Sequence, residues 1–195
     1  MGPHRTAWTL RKGLWSFWRV KNPKAQGFAL IDLIFVCGII GLLASIALPR
    51  LLLAKQSAES ASAIGSMRAI NSGQLTYALT CGGGFYAPDL TTLGTPPAGA
   101  NEAFITPSLG SANTIVKASY TFQMSAVGFP GAPSSCNGVA VGEDGTGYKA
   151  AGDALSPNNI RFFATNSRGT IWEDTSSLWG VIPEVGDPAS GHPIH

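Results

Sequence analysis

Charge is scarce in this chain. Asp, Glu, Lys and Arg make up only 12% of its 195 residues, about half the share usual in a soluble domain. Hydrophobic residues reach 45% and the mean hydropathy is positive at +0.16, so part of the chain is expected to leave water. Residues 1–27 contain no acid, yet they hold six of the 13 basic residues: Arg5, Arg11, Lys12, Arg19, Lys21 and Lys24. The remainder keeps 7 basic against 11 acidic residues, a net charge of −4. Nucleic-acid phosphates need clustered Lys and Arg, so no nucleic-acid partner is expected. Catalytic signatures are missing too: the sequence has no G-x-S-x-G elbow, no Walker A loop and no H-E-x-x-H pair. Histidine is limited to 3 residues, and His192 and His195 fall in a tail read as mobile, so no metal site is expected there. A length of about one domain excludes a large multidomain enzyme. The expectation is a protein that is neither an enzyme nor a cofactor carrier.

What the sequence does have is one long apolar run, Phe28 to Pro49, broken by a single acid, Asp32. At about 1.5 Å per residue its 22 residues span about 33 Å as a helix, enough to cross the hydrocarbon of a bilayer. The basic stretch before it orients the N-terminus to the cytoplasm by the positive-inside rule and places the body beyond Pro49 outside. A secretory signal peptide has a shorter apolar region and ends at a small-residue cleavage site. Here the run continues into Arg50–Leu79, which is free of Pro and rich in Ala and Ser. Ala63, Met67, Ile70 and Tyr77 fall on one helical face, so this second half reads as amphipathic, with a stripe that needs a partner surface.

The junction Lys24-Ala25-Gln26-Gly27-Phe28-Ala29-Leu30-Ile31-Asp32-Leu33, followed by Pro49, resembles the processing site and membrane helix of type IV pilins and type II secretion pseudopilins. The resemblance covers about the first third of the chain. It implies cleavage by a prepilin peptidase between Gly27 and Phe28 and N-methylation of Phe28. It also implies assembly through a helix in which Asp32 pairs with the Phe28 amine of a neighbouring subunit and Pro49 loosens the backbone. The implied partners are the prepilin peptidase, identical or related pilin subunits, the inner membrane and the pilus or secretion assembly machinery. The implied location is the bacterial inner membrane as a single-pass precursor, then an extracellular or periplasmic filament. Two features depart from the family pattern. Asp32 stands where the family has Glu, and only Lys21–Gly27 of the leader has the usual form. The Trp-rich segment before it, with Trp8, Trp15 and Trp18, either lies on the inner membrane surface or precedes the true start.

Read without the family, Asp32 either pairs between subunits or caps its own helix end. Pro49 has no N–H for the Ser45 carbonyl and is expected to kink or open the helix. Gly38 and Gly41 suit close helix packing.

The resulting organisation is a basic leader over 1–27, a transmembrane and polymerisation helix over 28–49, an amphipathic helix over 50–80 and a globular head over 81–195. The fold class is α+β, a long N-terminal helix packed on a small antiparallel sheet of three or four strands, with a pilin-like architecture. Thr114–Met124 reads as one half-buried strand with Tyr120, Phe122 and Met124 inward. Arg161–Thr165 and Thr170–Glu173 read as a hairpin, and Val139–Val141 with a return through Tyr148 as a further pair. Residues 94–113, 128–137 and the tail from Pro183 read as solvent-facing loops. Cys37 lies inside the apolar run as a small apolar residue. Cys81 and Cys136 lie in the exported part and either form a disulfide or remain two thiols. Glu143, Asp144 and Asp153 form either a solvated acidic loop or a Ca²⁺ site. The alternative to a filament subunit is a membrane-anchored extracytoplasmic binding module that never polymerises.

If the Gly27-Phe28 junction is a peptidase site, Gly27→Trp should leave an inner-membrane precursor about 3 kDa heavier, from 27 retained residues at roughly 110 Da each. Gel migration of the membrane fraction checks this, and unchanged migration removes the expectation.

Overall fold

The computed structural model of the chain describes residues 26–194, with side chains from Ala29 onward. The residues before Gln26, including the Trp-rich segment of the expected leader, and His195 lie outside the described residues. The chain divides into two compact units at the Pro49–Arg50 boundary.

One helix, α1 (Gln26–Thr80), runs through that boundary and contributes to both units. Its hydrogen-bonded assignment continues through Pro49, so the expected local opening is not seen, although Pro49 has no N–H to give. The helix ends where three glycines follow Cys81. Gly83 and Gly84 take φ of +61° and +96°, the left-handed region that glycine enters without strain. The Gly84 N–H then reaches back to the Ala78 carbonyl at 2.9 Å and satisfies one of the last orphan acceptors.

In the second unit, the C-terminal half of α1 packs on a six-stranded antiparallel sheet in sequential order: β1 (Thr114–Lys117), β2 (Tyr120–Ser125), β3 (Lys149–Ala154), β4 (Phe162–Asn166), β5 (Ile171–Asp174) and β6 (His192–Ile194). The architecture is therefore α+β, with more strands than the three or four expected. Tyr120, Phe122 and Met124 are buried and alternate with half-buried Thr121, Gln123 and Ser125, as the alternation predicts. Thr114–Met124 is not one strand, however. Ala118 and Ser119 take φ of +49° and +64° and turn it into a two-residue hairpin, with Lys117 opposite Tyr120. The β4–β5 hairpin lies where the sequence places it, with Thr165 opposite Ile171.

Val139–Val141 is turn and coil rather than strand, and the missing strand is β3, Lys-Ala-Ala-Gly-Asp-Ala. It sits in the sheet interior, hydrogen-bonded on both edges to β2 and β4. Small residues are required there. A Cβ on Gly152 would stand 2.9 Å from the Met67 methyl and 3.0 Å from the Phe122 ring. Toward the helix the core comprises Ala63, Met67, Ile70, Tyr77, Tyr120, Phe122 and Phe163, with Leu90, Leu93, Ile105 and Leu109 closing one side. Across the sheet, Ala151 and Ala164 pack under Leu178 and Ile182 with Trp172 and Trp179.

Two of the expected loops are therefore structural. Residues 94–113 contain the short helix α3 (Pro107–Gly110), which follows α2 (Leu90–Leu93). Ile105 and Leu109 from this stretch enter the core. The tail supplies β6, and the Asn166 amide holds it by donating to the Pro183 and Gly186 carbonyls at 3.0 and 2.6 Å. The placement of His192 in a strand corrects its reading as part of a mobile tail.

Cys81 and Cys136 form a disulfide across 55 residues, joining the end of α1 to the β2–β3 connection. In the chain-entropy picture a loop of that size is worth about 4 kcal/mol. Reduction should therefore lower the urea midpoint of the head markedly, and alkylation without reductant should label neither Cys81 nor Cys136. Full labelling of both in unreduced protein would show an open loop.

Candidate functional site

Among the described residues the first unit shows no buried side-chain core. Every large apolar side chain from Leu30 to Leu48 is exposed, from 45% at Val36 and Ile39 to 71% at Ile31. Burying such a side chain is worth about 1.5–3 kcal/mol, so a stripe of this length free in water is a large unrealised gain. Among the described residues α1 is the one helix long and apolar enough to cross a membrane. Nearly everything polar in it is met locally or small. The Ser45 hydroxyl donates to the Leu42 carbonyl at 2.7 Å, and Cys37 is a lone exposed thiol.

Asp32 is the exception. It is exposed, it is the sole Asp, Glu, Lys or Arg between Ala29 and Pro49, and it has no hydrogen bond or ion pair among the described residues. Gly27 and Phe28 lie in the helical backbone, with Phe28 one turn before Asp32. Gly38 opens a shallow groove of about 410 Å³ between Ile34, Phe35, Ile39, Leu42 and Leu43. A Cβ added at Gly38 or Gly41 would meet nothing within 4 Å, so no contact among the described residues requires either glycine.

In the second unit the same helix changes character. Ala63, Met67, Ile70, Gln74 and Tyr77 have no exposed surface, and the polar members of α1 fasten it to named partners. Glu59 accepts from the Ser119 hydroxyl at 2.9 Å in the β1–β2 turn. The Ser60 and Tyr120 hydroxyls share a hydrogen bond of 3.1 Å. Asn71 accepts from Tyr148 and Thr165 at 2.8 and 3.0 Å and donates to the Gly169 carbonyl. The buried Gln74 amide is matched by Ala87, donating to its carbonyl and accepting from its N–H, both at 2.9 Å. The amphipathic stripe predicted these positions, but Asn71 and Gln74 carry no apolar signal and were not legible as anchors.

At the C-terminal end of α1, Tyr77 donates to both oxygens of Asp144 at 2.9 and 3.0 Å. Asp144 has no exposed surface. Burial pushes its carboxyl above the usual range despite the Tyr77 hydrogen bond, with Glu143 adding to the rise, and burial likewise pushes the Tyr77 phenol up. The acids read as one loop are thus dispersed. Asp144 is not solvated, Glu143 is exposed, and Asp153 lies on β3, where its Oδ2 accepts from Ser177 at 3.0 Å. Among the described residues no group of three or more His, Cys, Asp or Glu converges as a metal site. Arg161 and Glu173 form a bidentate pair at 2.6 and 2.8 Å, which holds the Glu173 carboxyl below its ordinary value.

Comparison with protein-family models, curated proteins and solved structures returns no match.

The Asp144 pair sets a pH dependence. A carboxyl whose folded pKa is raised contributes stability that is present below the unfolded value near 3.9 and is lost as pH rises through the folded value. The stability of the native head relative to Asp144→Asn should therefore be greater at pH 4 than at pH 7. Urea unfolding of both proteins at the two pH values checks this, and a difference constant with pH would contradict the buried carboxyl.

Proposed function

We propose that the chain is a prepilin-like structural subunit, processed after Gly27 and assembled through its apolar helix into a filament of the type IV pilus or type II secretion pseudopilus kind. The observation that carries this reading is the division of labour along α1. One face of its second half is buried and pinned against the sheet, while from Leu30 to Leu48 the first half exposes every large apolar side chain together with one acid, Asp32. A bilayer satisfies the apolar side chains and leaves Asp32 unmet, at a cost of a few kcal/mol. Neighbouring helices satisfy both.

In this reading Phe28, freed by cleavage, supplies the amine that neutralises Asp32 of an adjacent subunit and sets the axial register. The open surface at Gly38 and Gly41 then admits a neighbouring helix closely. The subunit waits in the inner membrane with its head outside, and the α+β head becomes the filament surface. The role is structural, not catalytic. The disulfide and the paired Tyr77–Asp144 groups support it by holding the head closed in an oxidising compartment.

Asp32→Ala separates a polymerising subunit from a simple anchor. The variant should be inserted normally but fall to a small fraction of its usual amount in sheared filaments, while Asp32→Glu is tolerated. An anchored module would be indifferent to both changes, or would prefer Ala because it lowers the insertion cost. Normal filament content for Asp32→Ala refutes the intersubunit pair. If no filament contains the protein, the anchored binding module takes the place of this reading.

A further inference from the structure

The apolar surface of the helix outlasts the length of a bilayer core. Phe28–Pro49 already spans about 33 Å, yet Leu51, Leu52 and Leu53 remain exposed at 66, 61 and 66%. The β3–β4 loop presents two more apolar side chains, Leu155 at 55% and Ile160 at 62% exposure. Ile160 and Leu53 line one shallow cavity of about 210 Å³, together with Gln56 and Ser57 of the helix and Asn158 and Asn159 of the loop.

This loop is held in place with its apolar groups outward. Asn159 is buried and its amide donates to the Tyr120 hydroxyl at 3.0 Å. The same hydroxyl donates to the Arg161 carbonyl at 3.1 Å and meets the Ser60 hydroxyl of α1. On the other side of the loop, the Leu155 N–H donates to the Ser119 carbonyl at 2.9 Å. Glu59 lies against Lys55 and Ser119, and Glu173 against Arg161. Arg50 is exposed with no acid paired to it among the described residues.

We propose that Leu51–Leu53, Leu155 and Ile160, with Arg50 beside them, form a seat for the headgroup region of the bilayer that α1 crosses, and that this seat fixes the head against the membrane surface before assembly. The inference rests on the reading that α1 spans a membrane. The occupant follows from position along the helix. Leu53 is about 6 Å beyond Pro49, and the polar zone of each leaflet is about 5–8 Å deep. The Leu53 edge of the cavity therefore stands at headgroup level and Ile160 faces it, while the Ser60 edge of the same cavity lies about 16 Å beyond Pro49. Apolar side chains rimmed by an unpaired cation are the chemistry that such an interface accepts.

The test uses the full chain in vesicles of mixed zwitterionic and anionic phospholipid, with Cys37→Ala to remove the free thiol. An environment-sensitive fluorophore is placed singly at Leu155→Cys, Ile160→Cys, Leu33→Cys and Val185→Cys. Leu33, about 7.5 Å into the run, should be quenched by a spin label on the acyl chain a short way below the headgroups, which checks the span itself. Leu155 and Ile160 should be quenched by a headgroup-level spin label and be several-fold less accessible to aqueous iodide than Val185. Loss of the Leu33 signal overturns the membrane span and the seat with it. Acyl-chain quenching at Leu33, with iodide access at 155 and 160 equal to that at Val185, overturns the seat alone. Protection at 155 and 160 that grows with protein density at fixed lipid assigns the patch to a second copy of the chain and also overturns it.

Discussion

The burial of one face of α1 against the sheet is the interaction on which the rest of the head depends. Without Ala63, Met67, Ile70 and Tyr77, the inner sides of Tyr120, Phe122 and Phe163 would face water, and a thin sheet cannot close a core alone. Apolar contact by itself leaves a helix free to slide by a turn. Here the polar anchors remove that freedom. Glu59, Asn71, Gln74 and Tyr77 each meet a different partner, in the β1–β2 turn, the β4–β5 hairpin, the segment before α2 and the β2–β3 connection respectively. A buried amide such as Gln74 costs energy if its register changes, because its donor and acceptor both lose their match to Ala87. The anchors therefore set axial position and the stripe supplies the driving force.

The same packing explains the composition of β3. This strand is covered on one side by Met67 and Phe122 and on the other by the layer of Leu178 and Ile182, with strands hydrogen-bonded on both edges. Where two layers close this tightly on a strand, volume is the limiting quantity, and Ala150, Ala151 and Gly152 satisfy it. The long β2–β3 connection is then held at two places near the end of the helix, covalently at Cys136 and by Tyr77 on Asp144.

Sequence reasoning read the elements whose signals are local. The apolar run, the amphipathic stripe, the inward Tyr120–Phe122–Met124 alternation and the β4–β5 hairpin all lie in residue periodicity and turn composition. It missed elements whose identity is set by their surroundings. Lys149–Ala154 has no β-branched or aromatic residue, so nothing in its own composition marks a strand, and only the strands beside it make it one. The β1–β2 turn uses Ala118 and Ser119 at positive φ, where Gly or Asn would have announced it. β6 is three residues long and includes Pro193, which a sheet edge accepts and a central strand would not. Asp144 reads as a surface acid until Tyr77, 67 positions away, is brought against it. For the candidate membrane helix, by contrast, no surrounding structure intervenes among the described residues, and its length and apolar character are read from its composition alone.

The helix therefore carries two kinds of unfinished business. Beyond Lys55 the polar atoms that anchor α1 have partners inside this chain. Between Ala29 and Pro49 the Ser45 hydroxyl is satisfied locally, but the Asp32 carboxylate has no partner among the described residues and the Ser45 carbonyl faces a proline without an N–H. Lipid cures neither deficit, since hydrocarbon offers no hydrogen bonds and penalises a charge. Both sit on a segment whose apolar side chains are otherwise suited to lipid, so insertion lowers the energy of the segment while leaving two polar groups unmet. In the proposed filament a neighbouring helix would bring a positive amine to Asp32 and lower it further. That residual difference is what would favour leaving the bilayer for a polymer, and it is concentrated at Asp32 rather than spread along the run.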